Sequence, residues 1–125
     1  MEKSPQVAIE KFMNQIVGMG NYEMAFLFSE EGLPMAEVCG QETIPEDRLV
    51  EMSLLFQEVM KMADVIGGIS QVREIVIEGS NRRKIIFRFF QAFHQNLILS
   101  LVIPPRKTYK GLTNKLMKLV EKVSE

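Results

Sequence analysis

Tyr22-Glu-Met-Ala-Phe-Leu-Phe-Ser-Glu-Glu-Gly-Leu-Pro-Met-Ala-Glu-Val-Cys39 is the stretch from which the fold is read. Over 22–29, Met24, Phe26 and Phe28 alternate with Ala25 and Leu27, the period of a strand. Apolar residues on both faces predict a strand covered on both sides. Glu30-Glu31-Gly32 predicts a tight turn, with Gly32 taking positive φ. A second strand is expected from Leu33 to about Cys39. Pro34 cannot donate to a ladder, so this strand reads as an edge.

Working outward toward the N-terminus, Ile9, Phe12, Met13, Ile16 and Val17 recur with helical period and predict a helix over 5–18. Ser4 suits its N-cap and Pro5 its first position. Gly18 and Gly20 offer a left-handed stop. Toward the C-terminus, Thr43-Ile44-Pro45-Glu46 has the spacing of a capping box. A long helix over roughly 45–66 is expected, with Leu49, Met52, Phe56, Val59, Met60, Ala63 and Ile66 as its main stripe. Leu55 and Met62 widen that stripe, so the helix is expected to pack on two things. Gly67-Gly68 ends it.

Val72–Glu78, Lys84–Phe90 and Phe93–Ile103 read as three strands. Gly79-Ser80-Asn81-Arg82 marks a hairpin turn, and the next connection falls around Gln91–Phe93. Pro104-Pro105 ends the last strand. A final helix over about 107–123 gathers Tyr109, Leu112, Leu116, Leu119 and Val123 on one face, with Lys110, Lys115, Lys118 and Lys122 mostly on the other. Helix, strand, strand, helix, strand, strand, strand, helix makes an α+β sandwich. It has one five-stranded, mostly antiparallel sheet with helices on both faces.

The 125 residues form a single domain, 1–125, with 46% hydrophobic and 25% charged residues. Residues 1–81 hold 14 acidic and 5 basic side chains, and 82–125 hold 2 acidic and 10 basic. The net charge of −1 gives no global field for nucleic acid. No apolar run reaches the roughly 18 residues of a transmembrane helix. Charges at Glu2, Lys3, Glu10 and Lys11 argue against a signal peptide. The single cysteine, Cys39, excludes an internal disulfide, and the expected compartment is the cytoplasm.

No catalytic constellation, cofactor site or metal site is expected. His94, the one histidine, falls in a predicted turn and reads as solvent-exposed rather than as a ligand or base. Cys39 reads as a small core residue. Glu30-Glu31 lacks the alternating oxygen ligands of a calcium loop. The glycine pairs follow helices, whereas phosphate loops precede them. Arg82-Arg83-Lys84 reads as a charged hairpin tip.

Ala25-Phe-Leu-Phe-Ser-Glu-Glu-Gly-Leu-Pro-Met-Ala36 resembles the first hairpin of the Roadblock/dynein light chain family. The long helix ending in Gly67-Gly68 resembles that family's second helix, and Val72–Gly79 its third strand. The resemblance runs over about 5–123. It implies a Roadblock-like, profilin-like sandwich that pairs with itself as a homodimer, or with a second Roadblock domain. It places third strands together across a two-fold axis, involving Val72, Glu74, Val76 and Glu78. Second helices lie side by side, involving Met52, Leu55, Val59 and Met62. It also implies a non-enzymatic scaffold or regulator of a small Ras-like GTPase.

On a side-by-side pair of long helices, Arg48, Glu51, Leu55, Glu58 and Met62 form one line and are the candidate partner site. Leu55 and Met62 stand in both sets, so seam and platform remain alternatives for them. The rival functions are an adaptor subunit of a motor or membrane-associated complex, and a small-molecule sensor domain. A sensor needs a pocket with convergent polar groups, and the predicted core offers few.

Overall fold

A computed structural model describes residues 4–39 and 46–125. The elements are α1 (Pro5–Gly20), β1 (Met24–Ser29), β2 (Pro34–Cys39), α2 (Glu46–Gly67), β3 (Glu74–Glu78), β4 (Lys84–Ala92), β5 (Gln95–Ile103) and α3 (Lys110–Val123). The five strands form one sheet in the order β2-β1-β5-β4-β3, with every neighbouring pair antiparallel. The α+β sandwich expected from the residue pattern is the fold.

Alternation along the strands divides the core into two layers. Ala25, Leu27, Ile86, Leu99 and Leu101 point toward Ile9 and Met13 of α1 and Leu116 and Val120 of α3. Met24, Phe26, Phe28, Phe87 and Ile98 point the other way, toward Leu49 and Phe56 of α2. Phe26 stacks on Phe28 at 4.8 Å, and Phe56 meets Phe87 edge-on at 4.9 Å. Every residue of β1 is buried, as a strand with two apolar faces requires.

The Ser4 cap of α1 and the Gly67-Gly68 stop of α2 are as expected, and other helix ends differ. Ser4 caps α1 by accepting the Val7 N–H at 3.3 Å. The helix runs past Gly18, and its left-handed stop is Asn21, φ 54°. Asparagine tolerates that conformation nearly as well as glycine. Gly20 is needed for space instead, because the Tyr22 ring occupies the position of a Cβ there. Tyr22 is buried, donates its hydroxyl to Thr108 O at 2.7 Å, and has its pKa raised by burial. Thr43-Ile44-Pro45, the proposed cap of α2, lies outside the described residues. α3 begins at Lys110 rather than 107, after a turn with Arg106 at φ 67°.

Three further expectations are corrected. The β4–β5 turn is Phe93-His94, with φ 54° and 58°, and β5 starts at Gln95 rather than Phe93. A two-residue hairpin turn of this hand favours Asn and Gly, so Phe-His gave no signal. β3 begins at Glu74 rather than Val72, because Gln71 at φ 53° turns the chain just before it. Cys39 is exposed rather than in the core. It ends an edge strand, where no further strand covers it.

Candidate interaction surface

α2 packs on the sheet through a narrow line. Leu49 and Ser53 are buried, and Met52, Phe56, Met60 and Ala63 are half-buried. The Ser53 hydroxyl donates to Val50 O at 2.7 Å, which satisfies a polar group inside the contact. At 100° per residue these positions span one side of the helix. Val59 and Ile66 fall outside that side and are exposed, Ile66 at 82%. Their assignment to the sheet-facing stripe is therefore corrected. They join Leu55, 69% exposed, and Met62 in a second line. Steps of four, three and four keep that line straight along the helix.

Further exposed apolar residues lie on β3 and at the end of α2. β3 is an edge strand with β4 on one side and no strand on the other. Val76 and Ile77 of β3 are exposed at 43% and 38%. Val65 and Ile69, at and just beyond the end of α2, are exposed as well. Residues of this size seldom cluster in water without a covering partner. Ile66, Ile69 and Ile77 were not among the expected interface positions. The crowded apolar run Val65-Ile66-Gly67-Gly68-Ile69 was the available signal, since one helix face cannot absorb it.

Four of the expected seam residues are placed in the single chain as follows. Val72 precedes the strand. Glu74 is half-buried against α3, where it accepts the Tyr109 hydroxyl at 2.9 Å. Glu78 lies 3.6 Å from Lys84 Nζ. Met52 packs into the core layer beneath α2. Of the expected platform, Arg48, Glu51, Leu55, Glu58 and Met62 are all exposed on α2. Its charges are matched within the helix: Arg48 pairs with Glu51 at 3.1 Å, and Lys61 with Glu58 at 3.3 Å. Exposed pairs of this kind stabilise little, so they can be exchanged for partner contacts at small cost.

A cleft of about 860 Å³ opens between the second half of α2, residues 69–73 and the β4–β5 hairpin. Met60, Phe89 and Ile98 give it an apolar floor, and Gln57, Arg73 and Gln91 add polar groups. Asn96 donates to Glu30 Oε2 at 2.6 Å and accepts from Gln91 Nε2 at 3.0 Å along one wall. His94 is exposed in its turn. Among the described residues no cluster of three or more His, Cys, Asp or Glu is placed to hold a metal ion. Nor is any described helix long and apolar enough to cross a membrane.

The backbone superposes on MglB in a tetrameric arrangement with a TM-score of 0.80. Identity is 13%, over 99% of this chain and 93% of that one. Gliding protein MglB of Thermus thermophilus matches at 0.74 and 13% identity, over 99% and 93% of the two chains. A Roadblock/LC7 domain from Streptomyces avermitilis matches at 0.62 and 18% identity, over 91% and 92%. The chain has the Roadblock fold. No protein-family model and no curated protein matches it in sequence. The Roadblock fold spans nearly the whole chain, and both α2 and β3 lie within it.

Proposed function

We propose that the chain is a non-enzymatic dimeric scaffold that regulates a small Ras-like GTPase. One observation carries the reading: Leu55, Val59, Met62 and Ile66 line the exposed side of α2, and the same chain has an edge strand, β3, that exposes Val76 and Ile77. Two copies related by a two-fold axis would bury both features at once. β3 would pair with its counterpart and extend the sheet, removing an edge that otherwise invites aggregation. The Roadblock resemblance supplies the partner class, and the likeness in fold to MglB supports it. Arg48, Glu51 and Glu58 would then rim the GTPase platform.

The test mixes the purified chain with a Ras-like GTPase from the same source, loaded with GDP or a GTP analogue. Co-elution in at least one nucleotide state is expected. Leu55→Asp and Met62→Asp then assign those two positions. Loss of GTPase binding with an intact dimer puts them on the platform, and loss of the dimer puts them in the seam. Absence of binding in both nucleotide states overturns the partner.

The cleft beneath α2 favours a second reading, a small-molecule sensor, because its polar groups converge over an apolar floor. A thermal-shift screen of small metabolites would reveal it as a ligand-dependent rise in Tm, lost in Arg73→Ala.

A further inference from the structure

The side of the sheet opposite α2 carries a different chemistry. α3 turns Thr113, Leu116 and Val120 inward and leaves Lys110, Lys115, Lys118 and Lys122 exposed. At 100° per residue these four lysines fall within an arc of roughly 140°. Arg106 and Lys107, both exposed, continue the charge through the loop before the helix. Across 106–125 six cations meet two carboxylates, Glu121 and Glu125. Among the described residues only Lys110 of these six has a carboxylate within ion-pair distance, Glu74 at 3.9 Å. The other five cations face water. Six of the ten basic residues of 82–125 thus lie on α3 and the loop before it.

We propose that this face docks on an anionic lipid bilayer, held by its lysines without insertion of the helix. A specific protein interface has an apolar core and is poor in lysine. None of the exposed large apolar residues falls within 104–125, so this face has no such core. Single-stranded nucleic acid is held by aromatic stacking along a basic groove. Here five lysines accompany one arginine, and the Tyr109 hydroxyl is committed to Glu74. Lysine is a point charge on a flexible stem, which suits the diffuse, fluid charge of a headgroup layer. Insertion is excluded because the apolar side of α3 is already in the core. The attachment is therefore peripheral and sensitive to salt. It requires neither the dimer nor the GTPase of the proposed function.

Flotation of the full chain with vesicles of phosphatidylcholine containing about one third phosphatidylglycerol tests the proposal. Binding is expected to exceed that to pure phosphatidylcholine by more than about tenfold, and to vanish near 0.5 M salt. Lys115→Gln with Lys118→Gln should weaken it about 25-fold, at roughly fivefold per lysine. Both positions are exposed, and circular dichroism checks that the double variant keeps its fold. Lys61→Gln, on α2 across the sheet, should leave binding unchanged. Three results overturn the proposal. One is equal binding to neutral and anionic vesicles. Another is a loss with Lys61→Gln as large as with the double variant. The third is displacement of the vesicles by an RNA oligonucleotide bound more tightly. Since flotation needs no partner, failure of GTPase binding or a monomeric mass leaves its result readable.

Discussion

Tyr109 donates its hydroxyl to Glu74 Oε1 at 2.9 Å, tying the N-terminus of α3 to the first residue of the edge strand β3. The same carboxylate lies 3.6 Å from Arg88 Nε and 3.9 Å from Lys110 Nζ. Arg88 in turn donates through Nη1 to Thr113 Oγ1 at 2.7 Å, and the Thr113 hydroxyl donates to Tyr109 O at 2.6 Å. Five side chains from β3, β4 and the start of α3 thus meet on the side of the sheet away from α2, and the buried Arg88 Nε faces Glu74 as an ion pair without a hydrogen bond. This network anchors the first residue of the edge strand, whose outer side has no strand beside it. Glu74, expected in a dimer seam, makes these contacts within its own chain.

Removing the hydroxyl tests the tie. Tyr109→Phe is expected to lower stability by about 1 kcal/mol, because it deletes one hydrogen bond to a charged, half-buried acceptor. A fall in the urea midpoint with an unchanged m-value would report it.

The same residue sets an alkaline limit. Burial, then the hydrogen bond and charge of Glu74, raise the Tyr109 pKa above its ordinary 10.0, with Arg88 opposing. Burial raises Tyr22 in the same direction. A raised pKa in the folded state means that the neutral hydroxyl contributes stability fully below pH 10.0 and loses it as pH rises through the folded value. Stability should therefore be insensitive to these tyrosines near neutrality and fall above pH 10.0. Tyr109→Phe should make that fall shallower in urea titrations, and an identical slope would remove Tyr109 as a cause.

The exposed line of α2 makes a prediction about mass. Light scattering at micromolar concentration should give twice the 14.3 kDa of one chain. Val59→Asp or Ile66→Asp should weaken association about 30-fold or more, since each would bury a carboxylate in an apolar seam at a cost of about 2 kcal/mol. A wild-type mass of one chain would sink the dimer.

Phe87 is fully buried and meets Phe56 edge-on, at the centre of the layer under α2. Phe87→Ala should cost about 4 kcal/mol, combining lost transfer energy with a cavity. That is a large share of the stability of a domain this size. Chemical denaturation should show it, and a loss below about 1 kcal/mol would mean that α2 collapses into the space.

Gly32 combines two constraints. Its φ is 94°, and a Cβ there would stand 2.8 Å from Val50 Cγ1 of α2. Gly68 shares a positive φ of 65° but faces open space. Gly32→Ala should therefore destabilise more than Gly68→Ala, by about 1 kcal/mol or more. Equal losses in the two variants would show that α2 yields to the added methyl.

Much was legible in the sequence because local patterns cause local structure. The two-faced apolar run of β1, Pro34 at the edge and the helical period of α1 and α3 fixed the order of elements without any long-range knowledge. Pairing order and the division of α2 into two lines were not legible. A helical stripe records which residues are apolar, and the depth and edges of the sheet decide which of them it covers. Periodicity therefore sets Val59 and Ile66 against a sheet that does not reach them. The Phe93-His94 turn escaped because its backbone is imposed by the β4–β5 register rather than by its own residues. Glu74, Arg88 and the Tyr109/Thr113 turn are far apart in sequence, and none carries a motif. Only the tertiary structure could bring them together, because a hydrogen-bond network needs distances that pattern alone does not encode.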